Sequence, residues 1–391
     1  KAIDDLVKEA LEVIGRPFKE DPMAYNQATD VVLSDLHRLL IQPLKSIVAE
    51  SKILLVSPDG ELNKVPFAAL LSDDGRYLIE SHTISYVASG RDILRDLLDA
   101  KMPAIPDVDL FLVANPTYDF FDPSTVPVSS GNTFRKADLS LEFNPLPGTG
   151  REAKLIPPLI GGIQTVLQNA EATELEIKST NPPKILHLAT HGFFLEDNTL
   201  PLPSLFARSE PVGDRTRGIG GVKNTLTISP ATELPPGVEL DPMVRSGLAL
   251  AGANHPGSAP GGNDGILTAL EASGMDLQGT ELVVLSACET AIGQVNNGEG
   301  VFGLRRAFTL AGAQNLVMSL WLVDDDFTVL QMQEFYEAFG QDGSAAHSLQ
   351  EAQLATIMLL RDFYSDHDEP MAPVKIWAPF IAQQASGFDP S

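Results

Sequence analysis

Cysteine is almost absent from this chain: Cys288 is the only one in 391 residues. A single cysteine excludes an internal disulfide framework and fits a reducing compartment, so a cytoplasmic location is expected. No Cys/His cluster has the spacing of a zinc site, and no metal or other cofactor is expected. Positive charge is scarce as well. Lys and Arg number 27 against 52 Asp and Glu, a net charge of −25. That balance argues against direct nucleic-acid binding, which needs a basic footprint, and favours basic partners or substrates. Long apolar runs are missing too. No stretch approaches the roughly 18 to 20 consecutive apolar residues that span a bilayer, so no membrane partner is expected. The opening Lys1-Ala2-Ile3-Asp4-Asp5 does not read as a signal peptide. A chain that opens on lysine rather than methionine leads us to expect a further N-terminal region.

What is present describes a globular protein: 43% hydrophobic and 20% charged residues. The length suffices for one large or two ordinary domains. Residues 1 to 50 carry helical periodicity through Val31, Leu33, Leu36, Leu39, Leu40 and Leu44 and read as a helical hairpin. Residues 51–145 form a first α/β set, with strands at 53–57, 83–87 and 110–114 and a helix around Asp92 to Leu98. Pro, Ser, Gly and Asn make 115–150 a linker or long surface loop. A second set, in 146–391, has helices near 150–160, 171–179, 300–312, 327–339 and 346–361. Its strands are expected at 164–167, 184–190, 282–287 and 315–321. Continuous apolar strands suit a mostly parallel sheet covered on both faces. Within this set, 196–262 reads as a long insertion carrying Arg208, Arg215, Arg217 and Arg245: a lid, a partner loop or a processing site.

Two of the apolar strands run into chemistry. Ile185–Thr190 leads into His191-Gly192, and Leu282–Ala287 leads into Cys288, 97 residues further on. A parallel strand presents such groups at the carboxyl edge of its sheet, where open α/β sheets place ligands. A lone cysteine is also a common core residue, but Glu289-Thr290-Ala291-Ile292-Gly293 after it describes an exposed turn whose N–H groups suit an oxyanion. His191 beside a cysteine can take its proton and stabilise the thiolate. His187 reads as a structural histidine, since Leu188 stands where a zinc-protease helix needs Glu. A competing pattern is Gly298-Glu299-Gly300-Val301-Phe302-Gly303, a dinucleotide-type glycine motif with Arg305 and Arg306 nearby and Asp324-Asp325-Asp326 downstream. Its first glycine does not directly follow a strand.

Around these residues the chain resembles the CHAT domains, caspase-like cysteine peptidases of clan CD often found behind tetratricopeptide repeats. The likeness lies in His187–Gly192 and Leu285–Ala291. It extends through Asp264–Ala269, Gly298–Val301, Ala311-Gly312-Ala313, Ser319–Asp325, Pro58–Leu62, Val65–Leu70, Leu146–Thr149 and Glu152-Ala153. The resemblance implies an α/β fold with a caspase-like, mostly parallel sheet and helices on both faces. It also implies an inactive caspase-like half and N-terminal helices ahead of the catalytic part. It assigns His191 as general acid/base and Cys288 as nucleophile, with the N–H groups of Gly192 and Cys288 as oxyanion hole. By analogy with separases, Asp325, with Asp324 as second choice, would line a pocket for a basic residue; the alternative is that these aspartates only cap a helix. The expected partners are a protein substrate cut after a basic residue and a regulatory protein or tetratricopeptide-repeat region. A non-catalytic caspase-like scaffold is the other reading.

Overall fold

Along each central strand, neighbouring apolar residues go to opposite sides, and this alternation builds two cores on one sheet. The strands are β1 (Ile53–Val56), β2 (Thr83–Tyr86), β3 (Leu110–Pro116), β4 (Gln164–Asn169), β5 (Ile185–Ala189), β6 (Gly192–Phe194), β7 (Ser246–Ala249), β8 (Ile266–Thr268), β9 (Leu282–Leu285), β10 (Asn315–Ser319) and β11 (Phe380–Gln384). They are taken from a computed structural model that describes residues 2–18, 20–88, 106–120, 142–194, 242–255, 263–286, 299–321, 325–365 and 371–384. Leu282 and Val284 of β9 pack with Phe335 and Tyr336 of the helix Asp325–Asp342 and with Ile156 of the helix Pro147–Ile160. Val283 and Leu285 belong to the other layer, with Phe308 of the helix Glu299–Ala311 and Leu33 and Leu36 of the helix Pro22–Leu40. Each such buried side chain contributes about 1.5–3 kcal/mol.

Among the described residues eight strands form one sheet in the order β1-β2-β11-β10-β9-β5-β3-β4, parallel except where β11 runs antiparallel to β10. This is an α/β fold with a caspase-like, mostly parallel sheet and helices on both faces. The sheet crosses the sequence position expected to divide two halves, because β3 lies between β5 and β4 and β2 pairs with β11. A small antiparallel sheet, β6-β7-β8, stands beside it. Gly265, ahead of β8, has φ +78, and a Cβ there would lie 2.5 Å from the Ala253 nitrogen, so only glycine fits.

Several expectations change. Residues 246–249, inside the expected insertion, form β7, and Arg245 just before them is buried, at 2% exposure. The remainder of the insertion, 196–241 and 256–262, lies outside the described residues, as do the helix expected at Asp92–Leu98 and most of the 115–150 loop. Inside that loop β3 continues to Pro116 and the next helix starts at Pro147. In the helix Pro22–Leu40 the buried stripe is Tyr25, Thr29, Val32, Leu33 and Leu36. Val31 and Leu39 point outward, at 62% and 51% exposure, because they sit off that stripe on a helix turning about 100° per residue. Asp21 caps this helix by accepting from the Ala24 N–H at 3.0 Å, with Pro22 in its first turn. Among the described residues no helix is long and apolar enough to cross a membrane.

Candidate active site

β5 and β9 are hydrogen-bonded parallel neighbours, with Leu188 opposite Leu285 and the Ser286 N–H donating to the Leu188 carbonyl at 3.1 Å. His191 follows Leu188 by three residues, and Cys288 follows Leu285 by three. Cys288 itself lies outside the described residues, as do Asp324 and the side chain of Asp325, the first residue of the helix Asp325–Asp342.

His191 is 4% exposed and closely held. Its ring centroid lies 5.2 Å from that of Tyr118 and 5.7 Å from that of Phe143. Nε2 donates to the Asn144 carbonyl at 2.7 Å. A carbonyl can only accept, so in the neutral ring Nε2 carries the proton and Nδ1 keeps the lone pair. The His191 carbonyl accepts from the Ala249 N–H at 2.8 Å, and Gly192 then opens β6 opposite Leu248. Behind the ring, Asn254 joins two loops: its Oδ1 accepts from the Phe143 N–H at 3.0 Å, and its Nδ2 donates to the Phe143 carbonyl and to Asp119, each at 2.9 Å. The Asn254 N–H also donates to the Tyr118 carbonyl at 2.9 Å. Thr190 completes the support, bonded to the Ala249 carbonyl and, at 3.0 Å, to the Tyr118 hydroxyl.

His187 is fully buried, bonded to Tyr336 and Glu152 on the sheet face away from the helix Glu299–Ala311. Asp326, the third member of the acidic run, pairs with Arg151 at 2.6 Å and is 76% exposed, a solvated charge in the first turn of its helix. Arg305 does not await an anion. It is 4% exposed, donates to Asn63 at 3.2 Å and to Gln383, and lies over the Tyr86 ring at 5.8 Å. Burial lowers its pKa to about 10. Most of the glycine pattern, Gly298 included, falls outside what the structure describes at side-chain level.

Sequence reading did not single out Asn144, Tyr118, Phe143 or Asn254. These contacts join residues 47 to 136 positions apart, and no local spacing marks them. The Asn144-Pro145-Leu146-Pro147 lead-in was the one available cue, since prolines fix a segment before a helix.

A mostly parallel α/β sheet of this order, with β9 and β5 at its centre and helices on both faces, fits a caspase-like domain related to cysteine peptidases. The CHAT domain model matches residues 30–385, and the chain belongs to the CHAT-domain family. It is similar to tetratricopeptide repeat protein 28 of Mus musculus, 25% identical over 351 residues, which are 85% of this chain and 13% of that protein. The Homo sapiens protein of the same name is 23% identical over 328 residues, 82% of this chain and 12% of that protein. The chain therefore spans about an eighth of the length of these curated relatives.

Proposed function

We propose that this chain is a cytoplasmic cysteine endopeptidase that cleaves a protein substrate after a basic residue, arginine above all. The observation that carries this reading is His191. It is packed at the end of β5 with Nε2 committed to the Asn144 carbonyl, beside the strand that leads to the chain's only cysteine.

His191 Nδ1 takes the Cys288 thiol proton, and the thiolate attacks the scissile carbonyl carbon. The N–H groups of Gly192 and Cys288 stabilise the oxyanion. The tetrahedral intermediate collapses as the imidazolium gives its proton to the leaving amine, and a thioester remains. Water, deprotonated by the same imidazole, hydrolyses the thioester and restores the thiol. Asp325, or Asp324 in second place, pairs with the substrate guanidinium. The relatives' tetratricopeptide repeats support a repeat region or regulatory protein as the partner that controls activity.

An affinity reagent with arginine at the cleavage position should label the wild type and not Cys288→Ala, and the same variant should lose cleavage of an arginine-containing reporter. Cleavage that survives Cys288→Ala removes the assignment. Asp325→Ala should weaken cleavage after arginine about 10- to 100-fold while leaving iodoacetamide reactivity unchanged. Equal effects on both would take Asp325 out of the pocket.

A further inference from the structure

Four polar side chains meet inside a largely apolar layer. His187 Nδ1 lies 2.8 Å from the Tyr336 hydroxyl, and His187 Nε2 lies 3.1 Å from Glu152 Oε2. The same carboxylate oxygen accepts from the Ser286 hydroxyl. His187 and Tyr336 are 0% exposed, Glu152 2% and Ser286 3%. Around them lie Ile156, Val284, Met332, Phe335 and Ala189. Packing alone does not call for this group. Apolar residues of similar volume would fill the layer without desolvating a carboxylate, and are often neutral or stabilising in such exchanges.

The protons close in one pattern. Ser286 O–H and His187 Nε2–H both donate to Glu152, and Tyr336 O–H donates to His187 Nδ1. Burial, and then the nearby Glu152, hold the Tyr336 hydroxyl well above its usual pKa, so it stays a donor. Each corner also belongs to an element of the proposed site. His187 precedes His191 by four residues on and after β5, and Ser286 precedes Cys288 by two. Glu152 sits on the helix whose lead-in carries Asn144, the carbonyl that holds His191. Tyr336 sits on the helix that begins at Asp325.

The geometry points to Glu152 as a positioning residue that, through Ser286 and His187, locks the end of β9 against β5 and so sets the approach of Cys288 to His191. This rests on the reading of those two residues as the catalytic pair. A misplacement of about 1 Å costs on the order of 100-fold in such sites, so a rigid anchor has a catalytic consequence that stability alone does not measure.

Because the chain has one cysteine, iodoacetamide alkylation followed from pH 5 to 10 reports Cys288 alone. The wild type should show a thiolate pKa below the roughly 8.5 of a free thiol, and His191→Ala should abolish that depression. Glu152→Gln and Ser286→Ala should each raise the apparent pKa by about one unit, cutting alkylation near pH 6 about tenfold. Ser286→Thr, which restores the hydroxyl, should recover most of it. If Ser286→Ala and Glu152→Gln keep the wild-type profile and only lower the unfolding midpoint, the network is structural and the positioning role is wrong. If His191→Ala leaves the profile unmoved, the catalytic pair itself fails, and the positioning role falls with it.

Discussion

Asp264 offers a quantitative test of the packing beside the small sheet. The residue is 8% exposed, and its Oδ1 accepts from the Ile266 N–H at 3.0 Å. Burial first, and then the charge of Glu174, push its carboxyl up from 3.8 to about 7. Glu174 is itself buried and raised by burial, and its Lys178 partner at 2.7 Å also pairs with Glu271 at 3.2 Å. One lysine thus pairs with two carboxylates, and Asp264 is the third carboxylate of the group. Between about pH 4 and pH 7 the folded protein holds a proton on Asp264 that the unfolded chain has released, so stability falls as pH rises. The contribution is complete below the unfolded pKa and is lost as pH rises through the folded value. From pH 5 to pH 8 that amounts to two pKa units at about 1.4 kcal/mol each, roughly 3 kcal/mol. Asp264→Asn keeps an acceptor for the Ile266 N–H and cannot titrate. Urea unfolding at pH 5, 6, 7 and 8 should show the variant gaining on the wild type by about 2–3 kcal/mol across the series. A difference between the two proteins that stays constant with pH, or that shifts towards the wild type, would refute the assignment of a raised carboxyl to this site.

The remaining predictions concern the supports of His191 and the turn before β8. Asn254→Asp should destabilise more than Asn254→Ala, which itself should cost about 1–3 kcal/mol, because a carboxylate cannot donate to the Phe143 carbonyl and would repel Asp119. Thermal unfolding of both variants checks the order. Gly265→Ala should cost at least about 2 kcal/mol, since its Cβ would meet the backbone of Gly252 and Ala253 at 2.8 and 2.5 Å. Gly75→Ala, at a similar φ of +74 but with open space around it, should cost only about 1 kcal/mol, and equal losses would show that the close approach does not matter.

How far the sequence could be read follows from where its signals are local. β5 and β9 stand out because Ile185–Leu188 and Leu282–Leu285 are unbroken but for His187, as a doubly covered strand requires. The long helix Asp325–Asp342 extends the periodicity read from Phe327 to Phe339. β7 was hidden because Ser246-Gly247-Leu248-Ala249 has one large apolar residue and lies in a Gly/Pro-rich region. Gly247 is needed there, since a Cβ would come within 2.8 Å of the Leu267 carbonyl. β11 was missed because Phe380–Gln384 ends in two glutamines, one of which, Gln383, is 2% exposed and bonded to Arg305 and Thr309. Buried polar residues with distant partners defeat pattern reading, and the same limit hid Asn144 and Asn254.

The two histidines of β5 and its exit show why the strand end matters. His187 shares the sheet face of Ile185 and Ala189, and its ring nitrogens are both taken up by buried partners. His191 falls two residues beyond the last strand residue, where the sheet no longer supplies a covering layer and loops must build one. That layer comes from Tyr118 after β3, from Phe143 and Asn144 before the helix Pro147–Ile160, and from Asn254 after β7. Loops from three parts of the chain therefore have to agree before the ring is held. A substitution in any of them reaches His191 without touching the sheet, so the proposed activity should be more sensitive to these loops than overall stability is.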